Sequence, residues 1–242
     1  MANGPEYISG KTKTRLECSV AAVACALLLP LALPAAAGAM VDTRSRSPFY
    51  KQQRGNSVTR KLITIADPEG TNAHYTYGTR DPRASWYGNL LRATCADELP
   101  QLLSVLSGSM MLYGVRDILD HERERMAAAN SVLYNDFEQA VQESGVKPSI
   151  FSPSSAWRKS IRYDTTDRDM VKAVDIISME LDFKYLSHEA SLRTDLRAIG
   201  RLPLQVLTGI TRSSPWESFV DEGFPGVTAE KTDSFATLDI LA

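Results

Sequence analysis

Apolar positions recur at helical spacing in two long stretches of the chain. In the first stretch, apolar side chains follow one another every three, four or seven residues from Leu112 to Ala140. Gly145 and Pro148 come just beyond it and are typical of the end of a helix. The spacing predicts one continuous helix over residues 111–143, which would extend about 50 Å.

The second stretch runs from Met170 to Ile199 along one apolar stripe, and Gly200 and Pro203 predict where it stops. A shorter apolar face covers residues 97–107. Long amphipathic helices cannot bury their apolar stripes without partners. The sequence therefore predicts a mainly α fold, a small helical bundle with two long amphipathic helices.

Strand patterns are confined to a short part of the chain. Residues 61–65 and 74–77 alternate in the manner of strands and are separated by turn-forming residues, which predicts a minor β-hairpin. Residues 211–242 show no period, which predicts an irregular C-terminal tail. Such a hairpin is marginal in water and would need to pack on the helices.

The N-terminal segment contains 22 uncharged residues, from Ser19 to Met40, preceded by basic residues. Two interpretations stay open. Ala37 and Ala39 form an A-x-A cleavage signal that favours a removable signal peptide. The same run is also long enough for a membrane anchor that is not removed. Both interpretations predict a protein that is exported across a membrane or anchored in it, in a periplasm, a lumen or at a membrane surface.

The chain divides by composition into four predicted segments. They are a signal, targeting or membrane-anchor segment (residues 1–39), a basic linker or docking arm (40–60), a helical-bundle domain (61–210) and an irregular tail with aromatic residues (211–242). The formal net charge of −2 provides no general basic field for nucleic acid. We therefore expect the partners to be protein subunits of a membrane-associated complex, with anionic lipid as a further contact, and no nucleic acid.

Candidate partner-binding residues come from the basic arm and the aromatic tail. Basic side chains attract anionic headgroups or acidic partners, and aromatic side chains anchor protein interfaces. The candidates are Arg44, Arg46, Lys51 and Arg54 in the arm and Trp216, Phe219 and Phe224 in the tail.

Familiar catalytic motifs are missing. The chain has three histidines, and neither His-Glu pair, His121-Glu122 or His188-Glu189, continues into the HExxH pattern of zinc enzymes. His188 lies on the second apolar stripe, which predicts a buried histidine. Asp97 and Glu98 are interpreted as charges that suit a helix N-terminus. No catalytic, metal-binding or cofactor-binding residue is predicted, and no cofactor is expected.

A pentapeptide in the second stretch carries one family resemblance. Leu192-Arg193-Thr194-Asp195-Leu196 resembles an L-R-x-D-L element in the extrinsic helical-bundle subunits of photosystem II, which belong to the oxygen-evolving complex. The resemblance implies a lumenal, non-catalytic bundle. An apolar segment ending in A-x-A would agree with import into a lumen.

These observations lead to one functional prediction with two alternatives. The prediction is a non-catalytic structural or accessory subunit of a membrane-associated assembly. The first alternative is the lumenal photosystem subunit. The second is an enzyme whose site is assembled from the dispersed residues His121, Glu122, His188 and Glu189, and it requires both His-Glu pairs to meet in one pocket.

Overall fold

The computed structural model describes residues 4–54, 57–66, 83–116, 118–160, 168–211, 227–230 and 237–240. The helices are α1 (Gly4–Ile8), α2 (Lys11–Thr43), α3 (Trp86–Ala93), α4 (Leu102–Leu106), α5 (Asp120–Ala129), α6 (Ser131–Ser144), α7 (Pro153–Ser160), α8 (Arg168–Lys184) and α9 (Leu192–Thr211). A 3-10 helix, Ala96–Gln101, is called the acidic turn below, and Tyr185–Glu189 forms a π-helical turn. The prediction of a mainly α fold is confirmed.

Strands pair two by two. They are β1 (Phe49–Arg54), β2 (Ser57–Leu62), β3 (Met111–Tyr113), β4 (Ser149–Phe151), β5 (Val227–Glu230) and β6 (Thr237–Ile240). The β1–β2 and β5–β6 pairs are antiparallel, and β3 runs parallel to β4 with Met111 opposite Ser149.

The first predicted long helix is wrong, because residues 111–143 form a strand and two helices. All three residues of β3 are buried, and a strand buried on both faces has the same uninterrupted apolar pattern as part of a buried helix. Asn130 separates α5 from α6, since its backbone is extended and its side chain accepts a hydrogen bond from the Leu133 amide. The apolar spacing therefore continued across two breaks in the backbone.

The second predicted helix is likewise interrupted. After α8, the chain passes through the π-helical turn and restarts at α9, where the hydroxyl of Ser191 accepts a hydrogen bond from the Thr194 amide. The helix then continues past Gly200 and Pro203 to Thr211, so the predicted stop was wrong.

The N-terminal segment forms α2 and belongs to the folded body. Ala39, at the predicted cleavage point, lies inside this helix and is 1% exposed. No single described helix is long and apolar enough to cross a membrane. The two halves of α2, Lys11–Leu28 and Pro30–Thr43, meet the length and composition requirements only together, and they are bent by 66°.

Hairpins occur in places that the sequence pattern did not predict. The predicted basic linker contains the β1–β2 hairpin. Of the predicted hairpin, residues 61–62 belong to β2, whereas residues 74–77 lie outside the described residues. The tail that was predicted to be irregular contains the β5–β6 pair.

Apolar clusters of described residues form the core, and two of them join α2 to the rest of the chain. The largest surrounds α8 and includes Phe137 and Tyr185. A second cluster packs the first half of α2 through Ala21 against α4, β3 and β4. A third packs the second half through Ala39 against Ile63 and Leu91. The acidic turn contributes Leu99 to the second cluster and Ala96 to the third, which places it between the two halves of α2.

Candidate active site

The acidic turn brings Asp97 and Glu98 together between α3 and α4. Cys95, the residue before the turn, has a φ of +56°, a left-handed conformation that costs a non-glycine residue about 1 kcal/mol or more. The Cys95 carbonyl accepts a hydrogen bond from the Glu98 amide at 3.0 Å, which closes the turn. Strained backbone of this kind is concentrated at functional sites.

The two carboxylates have different surroundings. Asp97 is 8% exposed and faces inward. Glu98 is partly exposed, and its Oε1 lies 2.7 Å from the Nζ of Lys61, which β2 supplies. The two carboxylates therefore differ in exposure, and Asp97 is the more deeply buried.

Hydrogen bonds hold α3 against the second half of α2. Ser85 caps α3 by accepting from the Gly88 amide, and its hydroxyl donates to Asp42 at 2.6 Å. The Tyr87 hydroxyl donates to the Ala35 carbonyl. A Cβ atom on Gly38 would lie 2.4 Å from the Tyr87 hydroxyl oxygen, so a larger residue at this position would displace the tyrosine ring. These contacts fix the position of the acidic turn relative to α2.

Large apolar side chains are exposed on both sides of the acidic turn. They belong to α2 and to the two short helices that flank the turn, both of which pack against α2. The exposed side chains are Val23, Leu27, Leu28, Leu31, Leu33 and Val41 on α2, Trp86 and Leu90 on α3, and Leu103 and Leu106 on α4. We call this set the apolar rim.

A second polar cluster lies around α8. Arg125 and Arg158 both contact the buried Asp175, and Arg116 contacts Glu122. Each of these arginines already has a carboxylate partner. The cluster is therefore suited to holding α5, α7 and α8 together.

Asp182 lies beside that cluster. Burial raises its pKa to about 6, although the amide and hydroxyl of Ser154 donate hydrogen bonds to it and oppose the shift. A partly protonated carboxyl near neutral pH is a property of this buried position.

Lys13, in the first half of α2, forms a third polar cluster. Its Nζ lies 2.9 Å from Glu17 and 2.5 Å from Asp195, and it donates to the Tyr113 carbonyl. The hydroxyls of Tyr7 and Tyr185 donate to Asp195. We call this set the Lys13 cluster. Burial, followed by the Asp195 charge, raises the pKa of Tyr185 above its usual value, so the phenol stays a donor.

The predicted partner-binding residues are only partly described. Arg44 and Arg46, just after α2, are exposed, and so is Lys51 in β1. Arg54 is the last residue of β1, and its side chain is outside the description. Trp216, Phe219 and Phe224 also lie outside the described residues.

Among the side chains that the structure describes, the two His-Glu pairs are not brought into one pocket. Glu122 is buried with Arg116, whereas His188 and Glu189 are exposed, so the prediction of a buried His188 was wrong. The side chain of His121 is outside the description. Within the described ranges, no three His, Cys, Asp or Glu side chains are grouped closely enough to hold a metal ion.

Sequence reasoning missed the acidic turn as a site. It treated Asp97 and Glu98 as charges at a helix N-terminus, because acidic residues are common there. The available signal was an adjacent acidic pair between two short apolar segments. The strained Cys95 backbone and the Lys61 contact are tertiary features, which local periodicity does not report.

Comparison with known proteins identifies a family. Residues 8–209 match the family model described as bacterial sugar transferase. The UDP-glucose:undecaprenyl-phosphate glucose-1-phosphate transferase of Xanthomonas campestris pv. campestris is 28% identical over 198 residues, 78% of this chain and 37% of the relative. The Escherichia coli K12 protein of the same name is 32% identical over 121 residues, 49% of this chain and 23% of the relative. The undecaprenyl-phosphate galactose phosphotransferase of Salmonella typhimurium is 51% identical over 45 residues, 19% and 10% of the two chains.

These findings overturn the prediction of a non-catalytic structural or accessory subunit, including its photosystem alternative, because the named relatives are transferases. The prediction of a signal peptide is also wrong, since the family match begins at residue 8 and takes in the predicted leader. The predicted membrane association agrees with relatives named for a lipid carrier. The chain spans little more than a third of the first relative and less of the others. Its match over most of its length nevertheless shows that the chain belongs to the bacterial sugar transferase family.

Proposed function

We propose that this chain is the catalytic part of a membrane-associated transferase that moves a sugar phosphate from a nucleotide sugar to a polyprenyl phosphate. The names of the relatives support this substrate pair, since they specify UDP-glucose and undecaprenyl phosphate. The observation that carries the proposal is the position of Asp97 and Glu98 between two helices that expose apolar side chains. A lipid-linked phosphate would meet the carboxylates at that boundary.

The apolar rim is the surface that contacts the lipid. Soluble proteins rarely expose large apolar patches without a binding role, and tryptophan is enriched where a membrane meets water. The bend in α2 suits a helix that enters the apolar layer without crossing it in a straight line. Arg44, Arg46 and Lys51 follow this helix and would contact anionic headgroups, each contributing about 1 kcal/mol near the surface.

Other partners remain part of the proposal. We propose protein subunits of a membrane-associated complex as further partners. Trp216, Phe219 and Phe224 are candidates for that contact. Nucleic acid has no role in the proposed reaction.

Asp97 is the proposed nucleophile. The acceptor, a phosphate monoester, is largely ionised at neutral pH because its second pKa is about 6, and it therefore needs little help from a general base. A carboxylate beside anionic phosphates is best explained as a nucleophile that forms a covalent intermediate. Asp97 is the more deeply buried of the two carboxylates, and a less solvated carboxylate is the better nucleophile, which favours Asp97 over Glu98.

The bonds made and broken balance over two steps. First, an Asp97 oxygen bonds to the sugar-bearing phosphorus of UDP-glucose. The bond between that phosphorus and the oxygen that joins the two phosphates breaks, and UMP leaves. An oxygen of the polyprenyl phosphate then bonds to the same phosphorus and releases Asp97. The product is a polyprenyl diphosphate glucose. Lys61 would offset charge near the reacting phosphates.

The test uses the full chain in detergent micelles with undecaprenyl phosphate and either UDP-glucose or UDP-galactose. Transfer of labelled sugar phosphate to lipid supports the function, and no transfer from either donor contradicts it. With UDP-glucose alone, the proposed intermediate predicts release of about one UMP per active chain.

Matched variants assign the roles. Asp97→Asn should lower transfer at least about a thousandfold and abolish the UMP burst, because the nucleophile is lost. The exposed Asp136 on α6 is the control, and Asp136→Asn should leave both readouts unchanged. A burst that persists in Asp97→Asn would rule out Asp97 as the nucleophile. If EDTA abolished transfer while the burst were absent from the wild type, the pair would instead hold a divalent cation.

A further inference from the structure

Gln101 ends the acidic turn with a buried amide nitrogen that has no partner among the described residues. The residue is 3% exposed, and its Nε2 makes no hydrogen bond within the described part of the structure. The large majority of buried side-chain polar atoms in proteins are hydrogen-bonded. An unsatisfied donor destabilises the fold, so its presence calls for a partner that is absent from the free protein.

The position of Gln101 identifies the chemistry of that partner. Asp97 and Gln101 are the two buried residues of the acidic turn. Glu98 is three residues before Gln101, about 6 Å along a 3-10 helix. The amide therefore belongs to the same six-residue helix as the proposed nucleophile.

We propose that the Gln101 Nε2 donates a hydrogen bond to a phosphate oxygen of the nucleotide sugar. This inference rests on the proposed function, and it adds a donor that holds the substrate. The acidic pair repels an anionic diphosphate, so the site needs donors that the carboxylates do not neutralise. An amide keeps its donor at every relevant pH and adds no charge.

A purely structural role makes a different prediction. A structural glutamine would lose hydrogen bonds when replaced, and the chain would become less stable. At Nε2, Gln101 has no such bond to lose to any residue that the structure describes. Methionine has a similar length, and Gln101 adjoins Leu102 of the second apolar cluster. Gln101→Met should therefore keep or raise the thermal unfolding midpoint.

The experiment compares Gln101→Met with Gln142→Met, a matched change at an exposed position of α6. Wild-type transfer is measured first, because its absence would contradict the proposed function before Gln101 is considered. In an active protein, Gln101→Met should lower kcat/KM for UDP-glucose about 10- to 100-fold, with the midpoint unchanged or higher. Gln142→Met should change neither quantity.

Binding provides a readout that does not depend on transfer. Calorimetric titration of the full chain with UDP-glucose should show an affinity about 10-fold weaker in Gln101→Met. A loss of activity together with a lower midpoint would indicate a structural role and overturn the proposal. Activity and affinity within twofold of the wild type would overturn it as well. If the wild type binds UDP-glucose without transferring it, weaker binding by the variant would still support the donor role.

Discussion

The Lys13 cluster and the acidic turn are two polar regions in contact with α2, and they are built in opposite ways. The Lys13 ammonium is fully buried and reaches two carboxylates, a carbonyl and a phenol. In the acidic turn, the Glu98–Lys61 pair is partly exposed. The Gln101 amide nitrogen there has no partner among the described residues.

The difference distinguishes polar side chains that stabilise the fold from those that the proposed substrate would contact. A buried ion pair offsets its desolvation cost only when its remaining hydrogen bonds are made, as they are around Lys13. Such a cluster has no capacity left for a ligand. The acidic turn lies between two helices that carry the apolar rim, and its Gln101 amide nitrogen is a donor without a partner among the described residues, which is the group that the proposed substrate would use.

Breaking the Lys13 cluster should produce the largest loss of stability. Lys13→Met leaves Glu17 and Asp195 buried without their cation, which should lower the free energy of unfolding by about 3–5 kcal/mol. Denaturant unfolding of the detergent-solubilised chain measures the change. A loss below about 1 kcal/mol would contradict the structural role of the cluster.

A compensating variant tests whether the loss comes from uncompensated charge. Adding Asp195→Asn to Lys13→Met removes one of the stranded carboxylates and should recover part of the stability. If the loss in the double variant equals the sum of the losses in Lys13→Met and in Asp195→Asn, Lys13 and Asp195 act independently.

Asp182 is a buried carboxylate outside both the Lys13 cluster and the acidic turn. Burial raises its pKa from 3.8 to about 6, so the folded chain binds this proton more tightly than the unfolded chain. The stability from this proton is fully present below about pH 4 and is lost as the pH rises through about 6, a change on the order of 3 kcal/mol. Unfolding measured from pH 4 to pH 7.5 should show this decline.

Two variants decide whether Asp182 causes the decline. Asp182→Asn has no carboxyl to titrate and should reduce the pH dependence, whatever its effect on absolute stability. Asp136→Asn, at an exposed site, should retain it. An unchanged decline in Asp182→Asn would assign the effect to another group.

The helical class of the fold could be predicted from the sequence, whereas the continuity of its helices could not. Apolar spacing reports which face of a segment is buried, and that face is retained across Asn130, where one residue ends α5 and begins α6. Buried β3 also satisfies the helical pattern. Breaks in the backbone depend on capping and strand pairing, which alter the apolar spacing very little.

The sites were harder to predict because they join distant parts of the chain. Lys13 meets Asp195 across 182 positions, and Lys61 meets Glu98 across 37. No local pattern contains such pairs. The acidic dipeptide itself was visible, but a helix N-terminus explained it equally well until the structure showed its neighbours.

The apolar rim beside the acidic turn should control membrane binding with little effect on folding. Trp86→Glu combined with Leu103→Glu places two charges on exposed positions of α3 and α4. We expect at least about a tenfold loss of binding to vesicles that contain anionic lipid, or about 1.4 kcal/mol. Val132→Glu, at an exposed position of α6, should bind as the wild type does. Equal binding by all three proteins would contradict the proposed membrane surface.

The exposed ion pair Lys184–Glu189 is the counterpart of the buried Lys13–Glu17 pair. Its atoms lie 3.1 Å apart, close to the Lys13–Glu17 distance, but the side chains are 61% and 48% exposed. Water and salt screen such a pair, and holding two long side chains together costs entropy, so Lys184→Met should change the free energy of unfolding by less than about 0.5 kcal/mol. The same substitution at Lys13 should cost several times more. Equal losses at the two positions would show that burial and complete hydrogen bonding do not set the contribution of the Lys13 cluster to stability. The distinction drawn between the Lys13 cluster and the acidic turn would then be wrong.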